Sequence, residues 1–336
     1  MTISVCISAT RPDTIGTAVR SIAAQTLRDF ELIVVAQGRG SAQIAQAVRD
    51  ALGRHDGRVV HDHGRGVSRA RNIGVATASG EVVAMLDDDC EAAPDWLEVL
   101  ASRFRANPRV GDIWGAVVCP PRARGGFGNC PKCDPQEVVY DPARLGHHPP
   151  DGFAFLGANL AFTRRAAETI GPFDEILGPG GRFPVSEDSD FEWRAVEHGI
   201  VQLSTPAAVV HHTHGWRYGV RALWAFQHNY ARGHGAYAAK LTLLGDPWGP
   251  HVLKEHRRLI TRQWFERRNP ALLPIAIRRH LVYAAAYREC LADFSVDRRH
   301  LLRELAAAGK PDHEDYARAD THSARQILEA APLSRP

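Results

Sequence analysis

Three adjacent carboxylates, Asp87, Asp88 and Asp89, end the apolar run Val82-Val83-Ala84-Met85-Leu86. The run is aliphatic and partly β-branched, so it reads as a buried strand of a parallel sheet. Three acids at such a tip repel one another and lose hydration, which costs several kcal/mol per ion when nothing compensates. A divalent cation is the usual compensation. Mg²⁺ takes carboxylate oxygens together with substrate phosphates, and Mn²⁺ suits the same hard ligands. In open α/β sheets ligands sit beyond the carboxyl ends of the strands. A metal and a phosphorylated ligand are therefore expected at this tip. By itself, the triplet also fits a solvated acidic turn or a helix N-terminus that favours acids.

Strand and helix signals alternate around the triplet. Strands are expected at 3–8, 30–35, 59–60 and 81–86. Helices are expected from 15 to 23, at 41–52 with Ser41 as cap, at 66–78, and at 94–104 with Pro94 in the first turn. This alternation calls for a parallel sheet with helices on both faces. Residues 112–119 read as a further strand. Residues 120–151 are rich in Pro and Gly and read as a long loop, of the kind that is functional or mobile. Strand and turn signals return at 153–163, followed by a helix at 187–198 and two short strands at 200–203 and 207–211. From Trp216 onward the pattern is helical, at 216–240, 251–268, 275–293, 298–308 and 312–330, with breaks at Gly245 to Pro250 and at Pro270 and Pro274.

The 336 residues hold one large α/β domain with room for an appendage, and 44% apolar with 24% charged residues is ordinary for a soluble globular protein. The residues from Met1 enter a strand pattern directly, so no signal peptide is expected. No apolar run approaches the roughly 18–20 residues that span a bilayer. Residues 271–291 are interrupted by Pro274, Arg278, Arg279 and His280. Six cysteines over this length form no disulfide framework, so a reduced, cytoplasmic setting is expected. Cys119, Cys130 and Cys133, with His147 and His148 beyond, supply half of a zinc pattern. The second ligand pair is missing, and the segment otherwise reads as an exposed loop with incidental thiols. Charge is unevenly placed: 20 Lys/Arg against 12 Asp/Glu from Trp216 onward, and 21 against 26 before it. A basic helical tail reads either as a solvated surface or as a peripheral contact with the inner face of a membrane. No nucleic-acid motif accompanies the charge.

Four segments occur in order: SVCISATRP at 4–12, GVSRARNIG at 66–74, the acid triplet, and GAN at 157–159 followed by SEDSDFEWR at 186–194 and PAAVVHHTH at 206–214. Together with ARNIGVATASGEVVAMLDDD and GANLAFTRRAAETIGPFDE they resemble the family 2 inverting nucleotide-sugar glycosyltransferases of the GT-A fold, over roughly residues 1–215. The resemblance implies a GT-A-type, doubly wound, mostly parallel α/β sheet as the catalytic domain (1–215). A helical C-terminal region (216–336) follows, for acceptor, partner or membrane-surface contacts. It implies sugar transfer from a nucleoside diphosphate donor to an acceptor hydroxyl, with Mn²⁺ or Mg²⁺, in surface-polysaccharide or small-molecule glycoside synthesis. The acceptor is a saccharide, a lipid-linked molecule or a small molecule.

Residue roles follow from the same resemblance. Asp89 is the expected metal ligand, with Asp87 toward the ribose and Asp88 between them. His212 is the second metal ligand, in competition with His211 and His214. Asp188 is the general base, with Glu187 as the alternative. Both acids also fit a plain helix start. Thr10, Arg11, Arg71 and Asn159 are assigned to the donor, Arg71 through a fork that matches phosphate, the alternative being an exposed helical arginine paired with a neighbouring acid. Trp193 reads as a core aromatic or as one that stacks on a sugar face. The loop 177–184, with its glycines and prolines, suits a mobile segment facing the acceptor. Two positions depart from the family. The second strand ends in Gln37 where the family has an aspartate that reads the base. Cys90 stands where an acid is frequent. The nucleobase, the donor sugar and the linkage stay open. So do two rival functions: a catalytically dead sugar-nucleotide-binding module, and a nucleotidyltransferase, for which residues 8–12 lack the glycines of a phosphate loop.

Overall fold

The computed structural model describes residues 1–53, 55–122, 128–251, 258 and 273–305. Its first half is a run of strand–helix units: β1 (Ile3–Ala9), α1 (Pro12–Ala23), β2 (Phe30–Gln37), α2 (Ser41–Leu52), β3 (Arg58–Asp62), α3 (Val67–Thr77) and β4 (Val82–Asp87). The four strands are parallel, in the order β3-β2-β1-β4. Both faces are covered, which explains the unbroken apolar runs. Leu32 and Val34 of β2 face the core under α1 and α2, while Ile33 and Val35 face the core under α3.

Beyond β4 come β5 (Glu91–Ala92), α4 (Trp96–Ala106), β6 (Val110–Val118), β7 (Gly128–Asn129), β8 (Val138–Tyr140), α5 (Pro142–Leu145), β9 (Asn159–Thr163), α6 (Arg164–Ile170), α7 (Glu187–Glu197) and β10 (Val201–His211). The sheet continues from β4 as β9-β6-β10-β5. β9 runs antiparallel to both β4 and β6, while β6 and β10 are parallel, so the sheet is mixed and mostly parallel. The chain then forms β11 (Arg217–Tyr218), α8 (Val220–Leu243), α9 (Leu273–Asp293), β12 (Phe294–Val296) and β13 (Leu302–Glu304). The helical C-terminal region is thus present. None of the described helices is long and apolar enough to cross a membrane.

Several expectations change. Ser41 is the first residue of α2; Gly40 precedes it, and no side chain caps the helix. The two short strands expected at 200–211 are one strand, β10, with a register shift between Thr205 and Val209. Pro206 lacks the N–H that a regular ladder needs, and a bulge accommodates it. The segment 120–151 is not structureless, since β8 pairs with β10 and β7 with β11. The helix expected at 298–308 is not formed where the chain is described. Asp297 accepts the backbone N–H groups of Arg299 and Leu301, His300 takes φ +60°, and β12 and β13 pair as a hairpin. The helices expected at 251–268 and 312–330 lie outside the described residues, apart from residues 251 and 258. The zinc reading also fails. Cys119 and Cys130 form a disulfide, and Cys133 is buried with a free thiol. His147 sits instead 2.8 Å from Glu197.

Candidate active site

The register of β1 on β4 places Ser8 beside Asp87, so the turn after β1 lies directly against the acid triplet. Asp88 is 1% exposed and organises that turn. Its Oδ2 accepts the backbone N–H groups of Thr10 (2.7 Å) and Arg11 (3.0 Å), and its Oδ1 accepts Arg11 Nε at 2.9 Å. The same guanidinium reaches on to Asp89, Nη1 to Oδ2, at 2.6 Å. Asp88 is therefore occupied by the chain itself and holds the donor-side turn.

β10 delivers the histidine. Its end pairs antiparallel with β5, His211 against Glu91, just past the triplet. His212 is buried, its N–H bonds Val118 O, its Nδ1 lies 3.5 Å from Pro131 O, and its Nε2 is 3.3 Å from Asp89 Oδ1. His211 and His214 are exposed. Burial alone would raise the Asp89 carboxyl, but His212 and Arg11 hold it far below the usual carboxylate range. Burial would lower the His212 imidazole, yet its bond to Asp89 raises it. Burial pushes the Cys90 thiol well up, and the neighbouring acids add to this, so it stays protonated.

Asp89, Cys90 and His212 each offer one ligand atom, all within 4.8 Å of one another. The donor set fits a divalent cation. A carboxylate oxygen and an imidazole suit Mn²⁺, and Mg²⁺ through oxygen, whereas a protonated thiol adds nothing for a hard ion.

The third acid, Asp87, belongs to a different cluster. Arg71 on α3 is 3% exposed. Its Nη1 donates to Glu187 Oε1 at 3.0 Å, and its Nη2 to Gly157 O at 3.0 Å and to Asp87 Oδ1 at 3.4 Å. Arg71 thus ties the strand tip to the start of α7; the fork assigned to phosphate is taken up by Glu187, Gly157 and Asp87. Asp188 Oδ2 accepts the N–H of Gly157 at 3.1 Å. Ser186, just before α7, takes φ +78°, a left-handed conformation uncommon for serine, and its Oγ lies 3.1 Å from His234 Nδ1 on α8.

The loop expected to be mobile is anchored. Leu177 and Phe183 are buried, and Arg182 pairs with Glu289, Asp293 and Glu304. It crosses the start of α3, where Val67 N donates to Pro179 O at 2.8 Å. Glycine is required at this crossing, because a Cβ on Gly180 would lie 2.7 Å from Gly66 Cα.

Asn159 does not face a ligand. It is 1% exposed, accepts Trp96 Nε1 at 2.9 Å and donates to Ala116 O and Ala208 O at 2.8 Å, locking β9 to β6 and β10. Trp193 bonds Asp246 and packs near His300, which leaves it no stacking role.

A cleft of about 580 Å³ opens over the strand ends, lined by Thr10, Arg11, Gln37, Arg39, Arg65 and Asp87 among others. Gln37 Nε2 donates to Asp62 Oδ2 at 2.8 Å. Asp62 ends β3 in register with Gln37, is 5% exposed, and also receives Arg69 Nε at 3.1 Å and Gly64 N at 3.0 Å. Asp62 thus fixes the Gln37 amide from the neighbouring strand and does not itself line the cleft. The sequence analysis singled out neither Asp62 nor the cleft-lining Arg39 and Arg65; the signal available was an acid at the end of the strand adjacent to β2.

Residues 4–169 match the family model for glycosyl transferase family 2. Over that stretch, just under half of its length, the chain is a domain of this family. The glucosyl-dolichyl phosphate glucuronosyltransferase of Haloferax volcanii is 32% identical over 177 residues, covering 51% of this chain and 54% of that protein. The pre-mycofactocin glycosyltransferase of Mycobacterium tuberculosis is 30% identical over 197 residues, 56% of this chain and 38% of that protein. The family 2 chain therefore spans about half or less of the length of these relatives. In fold it resembles residues 1–349 of S. aureus TarS, solved with UDP-GlcNAc, at TM-score 0.51 and 15% identity over 93% of this chain and 98% of that one.

Proposed function

We propose that this protein is a metal-dependent, inverting glycosyltransferase that moves a sugar from a nucleoside diphosphate donor to an acceptor hydroxyl. The observation that carries the reading is the convergence of Asp89 and His212, from two distant strands, beside the cleft at the strand ends. Asp89 and His212 would hold Mn²⁺ or Mg²⁺, which neutralises charge on the departing diphosphate. Thr10 and Arg11 face the donor phosphates and Gln37 the base, while Asp87 is the half-exposed acid toward the ribose. Asp188, half-buried beside Gly157, takes the acceptor proton in a single displacement. Glu187 anchors Arg71 behind it.

The donor reading draws on the family match and on a fold neighbour solved with a nucleotide sugar. A lipid-linked acceptor at a membrane surface agrees with the name of the archaeal relative and with the basic C-terminal helices. The test is incubation with Mn²⁺ and a panel of UDP-, GDP- and dTDP-sugars. Donor hydrolysis or transfer is expected with one of them, with inversion at the anomeric carbon. Asp89→Ala is expected to lose Mn²⁺-dependent donor binding. Stabilisation by no nucleoside diphosphate would refute the reading. Binding without turnover would favour a sugar-nucleotide-binding module.

A further inference from the structure

We infer that Arg11 makes cation binding depend on the donor diphosphate: its guanidinium opposes a lone divalent ion at Asp89 and His212 and becomes favourable once the diphosphate enters. The inference rests on the proposed donor and metal sites and adds a residue that couples them.

Three observations carry it. The first is the division of Asp89 between two cationic neighbours, with Oδ2 on Arg11 Nη1 at 2.6 Å and Oδ1 beside His212 Nε2 at 3.3 Å. An ion taken up by Oδ1 and His212 therefore shares one carboxylate with a guanidinium, and like charges at that range repel strongly in a partly buried site. The second is the local charge. Around the cation ligands, Asp88 and Asp89 stand against Arg11, which leaves one net negative charge there before any ligand arrives, little for a divalent ion; Asp87 is shared with Arg71, which Glu187 also engages. A diphosphate brings the missing negative charge. The third is position. The Arg11 side chain is 46% exposed and lines the cleft, while its Nε and backbone N–H stay fixed on Asp88. Its Nη2 also bonds Asp88 Oδ1, so the guanidinium is held by both carboxylates at the entrance, and an incoming phosphate would meet the exposed part of a charge that stays fixed there. A residue that only shaped the turn would need no contact with Asp89. Here the contact with Asp89 is what links the turn to the cation ligands.

Coupling between two ligands is reciprocal, so it is measurable from either side. The experiment titrates Mn²⁺ by electron paramagnetic resonance into the wild type, Arg11→Gln and Arg11→Lys, each alone and with saturating UDP, GDP or dTDP, whichever the wild type binds best. Gln removes the charge and keeps a donor for Asp88, whereas Lys keeps the charge and loses the fork. Mn²⁺ alone is expected to bind Arg11→Gln about tenfold more tightly than the wild type, and the enhancement by nucleotide to shrink by a similar factor. Arg11→Lys is expected to keep most of the wild-type enhancement despite weaker nucleotide binding. If Arg11→Gln does not fold, the double variant Arg11→Gln/Asp88→Asn takes its place and is compared with Asp88→Asn, so that the two proteins differ only in the Arg11 charge. Mn²⁺ binding to the neutral variant no more tightly than to the wild type overturns the inference. Failure of every nucleoside diphosphate to bind the wild type in the presence of Mn²⁺ speaks instead against the proposed function, because the nucleotide-free comparison is independent of it.

Discussion

Glu187 and Asp188 are neighbours in sequence, yet their surroundings give them different work. Glu187 is buried against Arg71, and burial lifts its carboxyl to about 7, helped by Asp188 and opposed by Arg71. Asp188 is half-buried, with Oδ2 on Gly157 N and Oδ1 accepting Ser189 N at 2.8 Å. Asp188→Asn is expected to lower kcat by about 10² to 10⁴ while donor affinity changes only a few-fold, because proton removal and donor binding are separate functions. Comparable loss of donor affinity in a binding titration would reassign Asp188 to the donor site. Glu187 predicts a pH effect. Below about pH 7 its carboxyl is neutral and no longer anchors the Arg71 charge; above it the ion pair is complete. The rate is therefore expected to rise through pH 7, and a pH profile of Glu187→Gln should be lower overall and lack that limb. At this scale the sequence marked acids and a histidine at strand and helix ends, and the fold brings Asp89 and His212 together there, with Asp188 at the start of α7. It misled at Asn159 and Arg71, because polar type says nothing about whether a side chain turns toward a ligand or toward unpaired backbone and acids inside the protein.

Helix α7 joins the site to a second, hidden group of acids. One turn past Asp188, Glu192 is buried against β6 and β10, near Asp112. Neither Asp112 oxygen nor Glu192 Oε1 has a hydrogen-bond partner among the described residues. Burial raises both carboxyls, Glu192 to about 8 and Asp112 well above its ordinary value; Glu192 adds to the rise of Asp112, and Asp188 to that of Glu192. The sign follows from proton counts. Between about pH 4.5 and 8 the folded chain keeps a proton on Glu192 that the unfolded chain has released, so stability falls as pH rises, by up to about 1.4 kcal/mol per unit. Below that window both states are protonated, and above it both are ionised. Urea unfolding at pH 5 and pH 8 is expected to show this loss in the wild type and a smaller one in Glu192→Gln. An equal loss in both would place the pH dependence elsewhere. The strand–helix alternation of the first half was legible because each strand is covered on both faces and each helix carries one apolar stripe. The irregular elements were not, because long-range contacts made them. A bulge at Pro206 fused two expected strands, and the turn built by Asp297 replaced a helix whose local composition favoured it.

The C-terminal helices are part of the same packing as the site. Leu177 and Phe183, from the loop before α7, share a core with Ala236, Ala239, Ala286, Cys290, Phe294 and Leu302. At its edge Lys240 of α8 is fully buried, with Nζ 2.7 Å from Asp174 and also on Asp190. Asp190 is bonded in turn by Arg194, and Asp174 accepts the N–H of Leu302 at 2.8 Å. Burial works against the Asp190 charge, but Arg194 and Lys240 outweigh it and hold its carboxyl below the ordinary range. The loop before α7 and α7 itself therefore meet on one ammonium from α8, and the β12–β13 hairpin after α9 joins them through Asp174. The basic tail looked in sequence like a separate surface element, since nothing local marks Lys240 as the one cation of α8 that turns inward. Removing one member of a buried ion network leaves uncompensated carboxylates, which typically costs about 3–5 kcal/mol. Lys240→Met is expected to destabilise the whole chain by that order in denaturant unfolding. It should also weaken transfer more than Mn²⁺ binding, since Asp190 lies two residues from Asp188 on α7 whereas Asp89 and His212 are held by β4, β5 and β10. A folded Lys240→Met protein with undiminished stability would show that the C-terminal helices are held to the sheet without this ion network, by apolar contacts and the Arg182 ion pairs.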